Sequence, residues 1–192
     1  MSKVFPVTLD RTRYLAKPSG AECAAITRRM QSAGPSLVFA SDFCAVVRAG
    51  VTWCPGTFEA SADGWGEFRG MRLAGLDFDG DEGGASGRSL FERVTERARS
   101  LGLCVVCFYP TFSAVCRLGA NPAGWTRFRL VIDFGEDIRD AEQARAVIGW
   151  LLSQFPEADQ QCSNLNRLYF GAPGVCAEAV TWWPSLLGGG AS

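Results

Sequence analysis

Apolar side chains recur at helical spacing in three stretches of the chain. From Ser19 to about Ala33, Cys23, Ile26 and Met30 fall on one face. Ser19 with Glu22 forms a capping box that opens this helix, and Gly34 with Pro35 stops it. Ser89 with Glu92 repeats the start signal for a helix running to about Leu101, with Gly102 as its C-terminal stop. Asp140 with Gln143 caps a third helix. Its core stripe is Ala144, Val147, Ile148, Leu151, Leu152 and Phe155, and Pro156 ends it.

Other stretches carry strand patterns. Arg72 to Asp79 and the apolar run Leu103 to Tyr109 read as strands. Arg127 to Phe134 alternates, with Phe128, Leu130, Ile132 and Phe134 on one face and Arg127, Arg129 and Asp133 on the other. Leu37 to Val47 can hold strands broken near Ser41 and Asp42. Arg167 to Phe170 and Val175 to Trp183 predict two more. Gly80 to Gly87 and Pro110 to Thr126 read as loops. The mixture predicts an α/β or α+β domain with a largely antiparallel sheet, spanning residues 1–186 as one unit with a flexible tail at 187–192.

Composition narrows the chemistry. Of 192 residues, 47% are hydrophobic and 20% charged, the balance of a soluble globular domain. No apolar run reaches the roughly 18 residues of a membrane span, and Met1 to Pro6 lacks the apolar core of a secretory signal. A cytoplasmic protein without a membrane partner is the expectation. Histidine is absent, which excludes Ser-His-Asp and Cys-His nucleophile systems and imidazole as a general base. Catalysis must therefore run on carboxylates, a thiol, arginines or a bound metal. Of 19 basic residues only Lys3 and Lys17 are lysines. Arginine offers a planar fork suited to phosphates, although codon bias gives the same excess. The net charge of −1 argues against coating nucleic acid by bulk charge, leaving a local basic face open. The eight cysteines are scattered through apolar segments. Cys104 and Cys107 face opposite sides of a buried strand and read as buried free thiols rather than a metal pair.

The sharpest local feature is Leu76-Asp77-Phe78-Asp79-Gly80. Two acids two apart at a strand end point to one side, and a shared cation relieves their repulsion. Hard oxygen ligands of this kind suit Mg²⁺ or Mn²⁺, although a solvated acidic turn has the same pattern. A calcium loop fits poorly, because Glu82 replaces its turn glycine and Arg88 stands at the position of its bidentate Glu. On this view Asp77→Ala and Asp79→Ala both leave the fold intact. Downstream, Arg127 and Arg129 share a strand face, and Asp133 on that face could pair with them. Asp159 and Arg167 flank a loop after the third helix.

In order and spacing, Gly50-Val-Thr-Trp-Cys-Pro-Gly-Thr-Phe58, Leu76-Asp-Phe-Asp79, Tyr109-Pro-Thr-Phe-Ser113, Arg127-Phe-Arg-Leu-Val-Ile132, Phe155-Pro-Glu-Ala-Asp159 and Asn166-Arg-Leu-Tyr-Phe-Gly171 resemble the archaeo-eukaryotic primase superfamily. The nearest likeness is to the primase–polymerase branch of bacterial plasmids, phages and integrative elements. The resemblance implies a small α/β subdomain packed with an RNA-recognition-like antiparallel sheet, with the active site between them. It implies a nucleotidyltransferase working by metal-dependent phosphoryl transfer, with Mg²⁺ or Mn²⁺ as cofactor. Its partners would be nucleoside triphosphates, a single-stranded DNA template and a helicase domain or protein. Asp77 and Asp79 would be metal ligands and catalytic, with Asp159 as the third acid and Asp133 as its rival. Ser113, Arg129 and Arg167 would face the nucleotide's phosphates, with Arg127 beside them. One departure stands out: the family's histidine near the Ser113 position is missing. Arg117 or Arg127 takes over its contact, or the chain is a catalytically silent nucleic-acid-binding module of a replication initiator. A metal-dependent nuclease built on the same acids is a third class.

Overall fold

The computed structural model describes residues 3–80, 89–112, 127–172 and 181–182. In chain order the elements are β1 (Val4–Arg13), α1 (Gly20–Ala33), β2 (Ser36–Phe39), α2 (Ala40–Arg48), β3 (Val51–Cys54), β4 (Gly56–Phe58) and β5 (Phe68–Asp79). Then come α3 (Leu90–Ser100), β6 (Val105–Pro110), β7 (Arg127–Ile138), α4 (Ala141–Gln154), a 3₁₀ turn (Gln160–Ser163) and β8 (Thr181–Trp182). Ser113, Arg117, Asn121 to Gly124, most of the 80–87 loop, Val175 to Val180 and the 187–192 tail lie outside the described residues.

The capping signals act as the sequence predicts. Ser19 and Ser89 each accept from the backbone of a Glu three residues on, whose carboxylate accepts from the serine N–H in return. Gly34 follows α1 at φ 67° and Gly102 follows α3 at φ 65°, a conformation glycine adopts without steric cost. Asp140 caps α4, which buries Ala144, Ile148, Leu151 and Leu152, with Phe155 buried at its end.

Two expectations change. The run Leu37 to Val47 is strand only as far as Phe39; α2 follows, burying Phe43, Cys44 and Val47 on one face. Its N-cap, Phe39, makes no side-chain cap bond, so no start signal marks the helix in sequence. Arg167 to Phe170 is not a strand. Only Tyr169 pairs, in an isolated bridge to Trp53, while Arg167 N–H closes a turn onto Asn164 O at 3.1 Å.

The strands form two antiparallel sheets, β2-β1-β3 and β4-β5-β7-β6-β8. β5 and β6 both pair antiparallel with β7, so they run parallel to each other, and α3 connects them. β7 is interior to its sheet and buried on both faces from Phe128 to Asp133. Its alternation therefore does not mark a wet face, and Arg129 and Asp133 need internal partners. The core reaches from Phe5, Phe43 and Trp53 of the small sheet to Phe78, Phe91, Phe108, Phe128 and Phe155 of the large one. Phe78 stacks on Phe128 across β5 and β7 at 4.9 Å and 15°. The described cysteines are free; Cys107 is buried as expected, but Cys104 is exposed, because it precedes β6, which is itself buried on both faces. Among the described residues no helix is long and apolar enough to cross a membrane.

Candidate active site

The register of β5 with β7 sets Asp77 opposite Arg129 and Asp79 opposite Arg127. Each acid bonds the arginine across from it. Arg129 Nε donates to Asp77 Oδ1 at 2.6 Å, and Arg127 Nε lies 2.7 Å from Asp79 Oδ1. The two acids thus share a face, with Phe78 and Phe128 on the other. Their repulsion is relieved by arginines from the next strand. Their surroundings differ: the Asp77 side chain is 17% exposed and that of Asp79 63%.

Asp159 reaches Asp77 through backbone. Ala158 bridges to Phe78, and Asp159 N–H donates to Asp77 O at 2.8 Å. The sharp turn at Pro156, where α4 ends, lays this segment along the tip of β5. Asp159 Oδ1 accepts from Gln161 N–H at 2.9 Å, capping the 3₁₀ turn. Its Oδ2 accepts from Arg167 Nη2 at 2.6 Å, and the same nitrogen donates to Asp77 Oδ2 at 3.0 Å.

Arg129 departs from its expected role. Besides Asp77, it donates through Nη1 to Tyr109 Oη at 2.7 Å and Phe170 O at 2.9 Å. Its guanidinium lies 4.4 Å from the Tyr169 ring centre and 5.1 Å from that of Tyr109, and the residue is 5% exposed. Nε and Nη1 are committed to protein acceptors, so Arg129 holds Asp77 rather than presenting a free fork to phosphates. Burial works to raise the Asp77 pKa, but the charges and hydrogen bonds of Arg129 and Arg167 outweigh it and hold the carboxyl below the usual range. Burial likewise pushes the Tyr109 hydroxyl up to about 12, so it stays neutral.

The aromatic wall has its own supports. Trp53 Nε1 donates to Tyr109 Oη at 2.8 Å, and the Trp53 and Tyr169 rings lie 4.9 Å apart. Tyr169 Oη donates to Gly75 O. A β-carbon at Gly75 would lie 2.7 Å from the Tyr169 ring, so only glycine lets that ring settle on β5. Beneath the acid, Asp77 N–H donates to the buried Cys162 Sγ at 3.3 Å.

Asp77, Asp79, Asp159, Arg127, Arg129 and Arg167 line one cleft of about 290 Å³, at the lower end of small-molecule sites. Lys17, Phe112 and Phe170 complete its wall. Sequence reasoning missed Lys17; its rarity, one of two lysines beside so many arginines, was the available signal. It missed Tyr109 and Cys162 as well, because their roles come from contacts distant in sequence.

Asp133 does not join the site. It faces Leu73, four residues before Asp77 on β5 and so roughly 13 Å away along the strand. Its buried carboxylate pairs with Lys3 and, at 3.0 Å, with Arg72. It pairs with neither Arg127 nor Arg129, because those arginines lie at the other end of β7 beside Asp77 and Asp79.

Asp77, Asp79 and Asp159 offer hard carboxylate oxygens at one cleft, the donor type Mg²⁺ and Mn²⁺ take. The donor chemistry fits such an ion. The arrangement described has arginine nitrogens on all three carboxylates, and among the described residues no three His, Cys, Asp or Glu side chains are gathered closely enough to hold a metal.

No protein family scanned matches the chain, and no curated protein matches it. Among solved structures it is similar to the polymerase domain from Mycobacterium tuberculosis Ligase D in complex with DNA, at 15% identity and a TM-score of 0.38, over 81% of this chain and 62% of that one. The chain thus spans less than two thirds of that domain's length.

Proposed function

We propose that the chain is a nucleotidyltransferase of primase–polymerase type that joins nucleotides on a DNA template. The observation that carries this is the meeting of three acids from two segments with Arg127, Arg167 and Lys17 at one cleft. The order β5-α3-β6-β7-α4, with β7 between β5 and β6, supports an RNA-recognition-like larger sheet.

Asp77, Asp79 and Asp159 would hold a divalent ion, which when bound supplies charge neutralisation at a triphosphate and acidifies the attacking hydroxyl. The chain's own contribution is positioning and charge. Arg129 fixes Asp77 and keeps it ionised. Arg127, Arg167 and Lys17 supply donors for phosphate oxygens; among the described residues they are the cations of the cleft that are not enclosed as Arg129 is. Phe112 and Phe170, ring centres 6.5 Å apart, offer apolar faces to a base. None of these tasks requires histidine.

A catalytically silent nucleic-acid-binding module is the second reading, favoured by the arginine contacts that occupy all three carboxylates. The test is synthesis on a primed and an unprimed single-stranded DNA template with labelled nucleotides in Mg²⁺ or Mn²⁺. We expect product from the wild type and none from Asp79→Ala, whose exposed side chain makes it the cleaner probe. Normal synthesis by Asp79→Ala removes that residue from the chemistry. Template binding without synthesis selects the silent module, and degradation of DNA without added nucleotides selects a nuclease.

A further inference from the structure

The two arginines on Asp77 are held very differently. Arg129 is enclosed by two tyrosine rings and bonded to three separate acceptors. Arg167 extends from an irregular segment, and a single nitrogen, Nη2, serves both Asp77 Oδ2 and Asp159 Oδ2. Among the described residues its other contacts are a 3.3 Å bond from Nη1 to Gln161 Oε1 and the Tyr169 ring, whose centre lies 5.8 Å from the guanidinium, while its buried Nε has no hydrogen-bond partner there. A buried donor left unmatched costs free energy, so this seat is less than ideal for a guanidinium. Take Arg167 away and two carboxylates face each other across the space of one nitrogen, a gap that calls for a cation.

We propose that Arg167 is an exchangeable internal counter-cation. It neutralises the Asp77–Asp159 pair while the cleft is without nucleotide, and leaves for the phosphates of an arriving nucleoside triphosphate as a divalent ion takes its place. This rests on the functional reading above and deepens it. Metal and nucleotide then bind cooperatively: the metal alone must compete with a tethered guanidinium, and the nucleotide alone must pull that guanidinium from two acids. Coupling of this kind is reciprocal, so each ligand raises the other's affinity by the same factor.

The test titrates Mn²⁺, followed by electron paramagnetic resonance, into wild type and Arg167→Ala, with and without a non-hydrolysable nucleoside triphosphate. The nucleotide should tighten Mn²⁺ binding to wild type by roughly tenfold or more, and Mn²⁺ should tighten nucleotide binding equally. Arg167→Ala should bind Mn²⁺ alone about as tightly as wild type does with nucleotide, and lose most of the coupling. Equal Mn²⁺ affinity with and without nucleotide in the wild type overturns the exchange and needs no variant to fold. So does an Arg167→Ala that folds, judged by its near-ultraviolet circular dichroism, yet binds Mn²⁺ no tighter than wild type. Both results leave the metal-dependent function standing. If neither protein binds Mn²⁺ under any condition, the functional reading itself fails and the exchange with it.

Discussion

Asp77 and Asp79 look equivalent in sequence, yet their removal should have unequal consequences. Asp77→Ala leaves Arg129 as a charge buried to 5% exposure without its counter-ion. Removing one partner of a buried pair costs about 3–5 kcal/mol. Arg129 keeps Tyr109 Oη, Phe170 O and the face of Tyr169, which places the loss near the lower end of that range. Asp79→Ala breaks a pair whose side chains are 63% and 48% exposed, a contact worth about 0–1 kcal/mol. For a chain of this size 1 kcal/mol shifts Tm by roughly 2–4 °C. Thermal melts should therefore drop by roughly 6–12 °C for Asp77→Ala and by less than about 4 °C for Asp79→Ala. Asp77→Asn, which keeps an oxygen for Arg129 Nε, should fall between them. Replacing both partners, as Asp77→Ala with Arg129→Met, should recover part of the loss because no buried charge is stranded. Equal and small shifts for the two alanine variants would show that Arg129 does not depend on Asp77. The expectation that both acids can be removed freely because they repel one another would then return.

Gly75→Ala should destabilise by about 1–3 kcal/mol in urea, because its β-carbon meets the Tyr169 ring; an unchanged midpoint would mean that ring is not seated on β5. Asp133→Asn should lower stability by about 1–3 kcal/mol through its buried bonds to Arg72 and Gly135 N–H, yet leave nucleotide incorporation per folded molecule unaltered; loss of incorporation would put Asp133 back in the site. Despite burial, Arg29 and Arg97 hold Asp10 and Glu157 below their ordinary values of 3.8 and 4.5, as Arg129 and Arg167 do for Asp77. Groups depressed in this way contribute stability that is complete above the ordinary value and is lost as pH falls through the folded value. Melting temperature should accordingly decline below about pH 4.5, and Asp77→Asn should flatten part of that decline below pH 3.8.

What was legible in sequence was what is locally encoded. α1 and α3 carry their own start and stop residues, and the Asp77–Asp79 spacing fixes a shared face whatever surrounds the strand. α2 was not legible because Phe39 gives no cap and its apolar residues suit a strand equally well. The site was half legible. The presence of acids and arginines could be read, but their pairing could not. Arg129 serves Asp77 because β7 lies beside β5, and Tyr169 reaches it from the far end of the chain. Asp133 shares a face with Arg129 by parity, yet distance along β7 sends it to Lys3 and Arg72 instead.

The bridge between Trp53 and Tyr169 runs in both directions, with N–H to O distances of 2.9 and 2.7 Å. Tyr169 is therefore sewn to the small sheet by its backbone and pinned to the large sheet by its ring. Arg167 precedes it by only two residues. A motion that parted the sheets with this stitch intact and the ring's hold on Gly75 broken would draw Arg167 away from the acids. Separation of the sheets and release of the carboxylates would then be one mechanical event.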